Sequence, residues 1–76
     1  MYHIVLSKKA RQDVKKIHAE AEAYLMLAFL SLRQGAKTGI RLVGRFSPLF
    51  AITVREYTIV YRVHEERGVV CVVGVV

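Results

Sequence analysis

The hydrophobic pattern of this chain changes period once, across a loop, and that switch divides the fold into a helical part and a sheet part. No Gly or Pro falls between positions 8 and 34. Within that stretch Ala10, Val14, Ile17 and Ala21 follow one another at steps of four, three and four, which sets them on one helix face. Residues 35 to 48 hold Gly35, Gly39, Gly44 and Pro48, the composition of a loop. After Pro48 the apolar residues alternate or run on through β-branched side chains, as strands do. A chain of 76 residues makes one domain, residues 1–76. The sequence therefore predicts an α+β domain: an N-terminal strand, two helices, then a three-strand antiparallel meander, the helical half packed on an antiparallel sheet drawn mostly from the second half.

The first element is the β-rich run Tyr2-His3-Ile4-Val5-Leu6. Ser7 follows, and its hydroxyl can accept from the free amides of a first helical turn. Lys8, Lys9, Arg11, Gln12, Lys15 and Lys16 fill the outer sides of the helix it opens. The pattern changes at His18-Ala19-Glu20, which predicts a break and a second helix to about Gln34, closed by Gly35. One continuous helix over 8–34 is the alternative, long for a domain this size. Ala23 to Leu32 has nine hydrophobic residues in ten, Ser31 being the exception. A helix apolar on nearly all sides must be covered on several, and this run is too short for a bilayer, which takes roughly 20 residues. Either the sheet and first helix bury all of it, or part of it docks another chain; a homodimer through 23–32 is one such pairing. Leu42 and Phe46 are expected to anchor the loop to the core.

Leu49–Val54 and Tyr57–Val63 read as strands joined by a tight turn at Arg55-Glu56. That turn pairs Val54 with Tyr57, Thr53 with Thr58 and Ile52 with Ile59. Alternation then gives a core face of Phe50, Ile52, Val54, Tyr57, Ile59 and Tyr61. Leu49, Ala51, Thr53, Thr58, Val60 and Arg62 form the opposite face, towards the loop with Arg41 and Arg45. His64 to Gly68 is a polar turn. Val69–Val76 reads as a buried central strand, with Cys71 a buried small hydrophobe within it.

Twelve Lys and Arg oppose six Asp and Glu, for a net charge of +6 and a pI near 9.9. Such an excess suits a polyanion or an acidic protein; it also serves solubility in a chain of mean hydropathy +0.33. Lys37, Arg41, Arg45, Arg55 and Arg62 are the candidate RNA or polyanion contacts, since Arg can clamp phosphate oxygens in a bidentate manner. Cys71 is the single cysteine, so no disulfide forms within the chain. His3, His18 and His64 have no ligand spacing, so no metal site and no cofactor are expected. The start, Met1-Tyr2-His3-Ile4, lacks a basic region followed by an apolar one. The reading is a cytoplasmic protein with no membrane association.

Four stretches resemble a known family. Ile4-Val5-Leu6-Ser7-Lys8-Lys9-Ala10-Arg11-Gln12-Asp13-Val14-Lys15-Lys16-Ile17 resembles the opening strand and "S-x-x-A-x-x-D-L-x-K-L" helix start of the RelE/ParE toxin superfamily. Arg41-Leu42-Val43-Gly44 resembles its "x-L-x-G" loop. Tyr57-Thr58-Ile59-Val60-Tyr61-Arg62-Val63 resembles its "Y-R-I-I-Y-x-V" strand, and Val69–Val76 its apolar last strand. The resemblance implies a toxin of a type II toxin–antitoxin system with a cognate antitoxin as partner. RelE-like members act as mRNA interferases, endoribonucleases that cut mRNA on the ribosome; ParE-like members poison DNA gyrase instead.

The chain departs from the RelE pattern where that pattern carries chemistry. RNA cleavage requires a proton to leave the 2′-hydroxyl, the phosphorane to be stabilised and the leaving oxygen to be protonated. RelE-like enzymes place Lys and Arg on the open sheet face and Arg or His and Tyr after the last strand. Here the open face has Ala51, Thr53 and Thr58, and residue 76 comes before any such basic or Tyr residues. No catalytic residue is carried over. A catalytically degenerate toxin fold that binds an antitoxin or associates with itself is the third expectation.

Overall fold

The computed structural model describes all residues, 1–76. Strand β1 (His3–Leu6) leads into helix α1 (Lys8–Lys15) and helix α2 (Ala19–Gln34). A short β2 (Ile40–Arg41) and a 3₁₀ turn (Gly44–Phe46) lie within the loop region, followed by β3 (Phe50–Val54), β4 (Tyr57–His64) and β5 (Val69–Val75). The five strands form one sheet in the order β1-β5-β4-β3-β2.

Ser7 starts α1 as its sequence position implies. Its Oγ accepts from the Ala10 amide at 3.0 Å and donates to the Val73 carbonyl at 2.9 Å, tying the helix start to β5. The chain leaves α1 through short-range bonds, the Lys16 amide to the Asp13 carbonyl and the Ile17 amide to the Val14 carbonyl, both 3.1 Å. His18 then adopts extended backbone and α2 begins. The break replaces the continuous-helix alternative, and it lets Ala10 and the inner face of α2 reach one core. That core holds Leu25, Leu32, Ile59, Tyr61, Val70 and Val72, each no more than 1% exposed. The outer face of α2 stays uncovered, with Met26, Leu27 and Leu30 56%, 63% and 51% exposed.

The β3–β4 hairpin has the expected register, Val54 against Tyr57, Thr53 against Thr58 and Ile52 against Ile59. Arg55 opens the turn at φ 56°, a left-handed conformation that a two-residue hairpin demands of at least one central residue.

Four expectations are corrected. The sheet is mixed, because β1 runs parallel to β5, with His3 opposite Val69 and Val5 opposite Cys71. The connection through α1, α2 and the meander returns the chain alongside its first strand, as parallel pairing requires. Cys71 lies half-buried on the open face opposite Arg62, while Val70 and Val72 take the core side; alternation forbids all three from pointing inward. Phe46 is 57% exposed on its 3₁₀ turn and anchors nothing. Arg41 pairs with Phe50, and so shares the row of Phe50 and Tyr61 on the helix-bearing side rather than the open face.

Candidate functional site

The sheet face away from α2 is open, and strand register sorts its side chains into rows. At one end His3 and His64 flank Val69. The next row is Val5, Cys71 and Arg62. Gly74, Val60, Ala51 and Ile40 form the third. Thr58 and Thr53 form the last, beside Val76, whose backbone bonds Thr58 in both directions at 2.7 and 2.9 Å. Two hydroxyls therefore stand at the hairpin end and one guanidinium in the middle, with no carboxylate in any row.

The five sequence-selected cations are not gathered at one point. Arg62 alone is on the open face. Lys37 makes an ion pair with Glu65 of the β4–β5 turn. It shares with Arg41, His64 and Arg67 an open cleft of about 530 Å³ at the end of the sheet, and Glu65 and Glu66 also line it. The cleft is thus mixed in charge. Arg45 stands exposed on the 3₁₀ turn. Arg55 lies over the Tyr24 ring of α2, its guanidinium carbon 4.5 Å from the ring centroid. That stacking uses one face of the guanidinium and leaves its edge for hydrogen bonding.

One group of residues comes together only in the folded chain. Helix α1 continues along the edge of β5 that β1 leaves free. There Asp13 Oδ2 accepts from the Val75 amide at 2.9 Å and from Lys9 Nζ at 2.8 Å. The Lys9 hydrogen bond first, and the Val75 amide second, hold the Asp13 carboxyl below its usual range. The i,i+4 spacing of Lys9 and Asp13 was visible, but their seat against Gly74 depends on tertiary structure. On the helix side, burial pushes the Tyr61 phenol up, opposed by a hydrogen bond from the Gly39 amide. No three His, Cys, Asp or Glu side chains come together in a way that could hold a metal ion, and no helix is long and apolar enough to cross a membrane.

No family profile and no curated protein matches the sequence. Solved structures do match in fold. A chain of the Mycobacterium tuberculosis RelBE2 toxin–antitoxin complex is 25% identical, with 97% of this chain and 94% of that one covered and a TM-score of 0.87. The E. coli RelBE toxin–antitoxin complex gives 19% identity, 99% and 94% coverage and a TM-score of 0.85. The isolated E. coli RelE toxin gives 19%, 99% and 82%, and a TM-score of 0.83. From β1 to β5, the chain has the fold of the RelE toxin superfamily.

Proposed function

We propose that this chain is the toxin component of a type II toxin–antitoxin system, RelE-like, which inhibits translation by cutting mRNA on the ribosome. The observation that carries the reading is the whole-length likeness to the toxin–antitoxin structures, 97% of this chain against 94% of the RelBE2 chain. The net charge of +6 supports it, since a protein that works among RNA phosphates needs cations to reach them. Arg62 is the contact nearest the reacting backbone, and Lys37, Arg41, Arg45 and Arg55 are outlying phosphate contacts. The chemistry would rest on charge: the RNA supplies its own 2′-hydroxyl nucleophile, whose proton passes to solvent, Arg62 stabilises the phosphorane, and solvent water protonates the leaving 5′-oxygen. The partners are a cognate antitoxin and a second copy of the chain through residues 23–32, and the place of action is the cytoplasm.

The deciding experiment is translation of a reporter mRNA with purified protein, followed by mapping of its 5′ ends. Cuts that depend on active ribosomes support the reading, and an intact message with undisturbed growth on expression removes it.

Thr53 opposite Thr58 favours a second reading. With no titrating group at that pair, the chain fits a ParE-like gyrase inhibitor or a degenerate toxin that retains antitoxin binding. Supercoiling by gyrase at rising protein concentration separates these. Inhibition supports the ParE-like case, and unaffected supercoiling together with an intact message leaves the binding role.

A further inference from the structure

We propose that Lys9 is a phosphate-binding cation of the open face, seated over Gly74 and held by Asp13; the ligand is the phosphodiester backbone of single-stranded RNA. The inference deepens the RNA-directed reading above and rests on it for the choice of ligand.

Three features converge on this side chain. The first is its direction. Gly74 pairs with Val60, and Val60 shares its face with Thr58 and Arg62 by alternation. A Cβ at Gly74 would lie 3.2 Å from Lys9 Nζ and 3.4 Å from Asp13 Oδ2. The ammonium group therefore stands on the open side of the sheet although it comes from a helix. The second is the absence of a side chain beneath it. Gly74 interrupts the run Val69-Val70-Cys71-Val72-Val73 with the one residue that leaves room for the lysine tip. The third is that Lys9 is held without being used up. Asp13 is itself fixed by the Val75 amide, and the Lys9 side chain is still 63% exposed. An ammonium has three donors, so two remain for a ligand.

The surroundings favour a phosphodiester. Thr58 and Arg62 lie two residues to either side of Val60 on β4, Thr58 about 7–8 Å diagonally from Gly74 and Arg62 beyond the register shift between Val60 and Tyr61. Lys9, Arg62 and the Thr58 hydroxyl thus border one patch of sheet floored by Gly74 and Val60. Two cations and a hydroxyl around a small flat floor, with the Asp13 carboxylate at its rim beside Lys9, match the non-bridging oxygens of a backbone phosphate. Helix α1 adds to the field. Its first turn holds no acid, and Lys8 and Lys9 there oppose the helix dipole, an arrangement that a bound anion relieves.

The test is binding of a fluorescein-labelled single-stranded oligoribonucleotide, read by anisotropy across a salt series. Each phosphate contact contributes about 0.7 to the slope of log affinity against log salt. Lys9→Met is expected to lower affinity about tenfold at low salt and to reduce the slope by about 0.7. Lys9→Arg should keep the slope. Gly74→Ala, which leaves the charge untouched but displaces the lysine tip, should weaken binding several-fold. Lys15→Met, a loss of equal charge on another side of α1, should reduce affinity much less than Lys9→Met.

Equal losses from Lys9→Met and Lys15→Met overturn the proposal, as does a slope that Lys9→Met leaves unchanged. Loss of antitoxin capture with RNA binding intact overturns it in favour of an acidic protein partner. Ribosome-dependent cleavage with a Lys9-independent slope removes this inference alone. Lys9-dependent RNA binding without any cleavage removes the nuclease reading and leaves the inference standing.

Discussion

The Gly39 amide donates a hydrogen bond of 3.1 Å to the Tyr61 hydroxyl, and this contact pins the end of the α2–β2 loop to the middle of the sheet. Tyr61 is fully buried and stacks on Phe50 with ring centroids 5.6 Å apart. A Cβ at Gly39 would stand 2.5 Å from the Tyr61 hydroxyl oxygen and 2.7 Å from the Ala51 carbonyl oxygen. Neither atom can withdraw without breaking a packed layer. Gly39→Ala is expected to cost about 2–3 kcal/mol. Tyr61→Phe keeps the ring but strands the Gly39 amide, for about 1–2 kcal/mol. Urea denaturation of the two variants gives the order directly; an unchanged midpoint for Gly39→Ala would contradict the close approach.

Asp13 makes stability depend on acid in a set direction. Its folded-state carboxyl titrates below the ordinary value of 3.8. The contribution is therefore complete above that value and is lost as pH falls through the lower folded-state pKa. Asp13→Asn removes this titration. Urea midpoints measured from pH 7 down to pH 2.5 should fall less steeply below about pH 4 in the variant than in the parent. Parallel curves would show that the carboxylate gains nothing from Lys9 and Val75.

Arg55 combines a cost with a gain. Its φ of 56° is unfavourable for a side-chain-bearing residue, while its guanidinium rests on Tyr24. Arg55→Ala keeps the strain and loses the stacking, so it should be less stable than the parent by about 0.5–1 kcal/mol. Arg55→Gly loses the stacking but relieves the backbone, and should exceed Arg55→Ala by about 1 kcal/mol. Thermal unfolding of the three proteins tests the order, and a glycine variant less stable than the alanine variant would refute the turn geometry.

Two leucines separated by half a turn of α2 should respond in opposite ways. Leu25 is 1% exposed and Leu27 63% exposed. Leu25→Ala is expected to cost about 2–4 kcal/mol. Leu27→Glu should stay within about 0.5 kcal/mol of the parent, yet abolish concentration-dependent association in sedimentation equilibrium, since exposed apolar stripes are association surfaces. A Leu27→Glu protein that still dimerises would place the self-contact elsewhere.

Local rules made some of this structure legible and not the rest. The hairpin register follows from counting outward from a two-residue turn, because a period of two leaves no freedom once the turn is fixed. The helix break at His18 follows from a change in pattern, and the start of α1 from a single serine. The pairing of β1 with β5 does not follow, because nothing in a strand's own alternation names its distant neighbour. The same divide runs through the site. Alternation puts Arg62 on the open face, where the structure sets it opposite Cys71. It could not put Arg55 over Tyr24 or Lys37 beside Glu65, nor show that Gly74 makes room for Lys9. An unbroken valine run hides which of its members face inward, and so hides the open-face position of Cys71.

The parallel pairing of β1 with β5 has a consequence in time. A ribosome making this chain releases β1 and α1 first, as N-terminal segments emerge ahead of the rest. Yet the ladder of β1 is with β5, and α1 rests chiefly on β5 too. Both must wait until the five-strand order can close around a strand synthesised after all the others. The rows that begin at Val69, Cys71 and Gly74 therefore do not exist on a nascent chain. The open face is therefore assembled only once β5 has emerged, and no shorter nascent chain presents it.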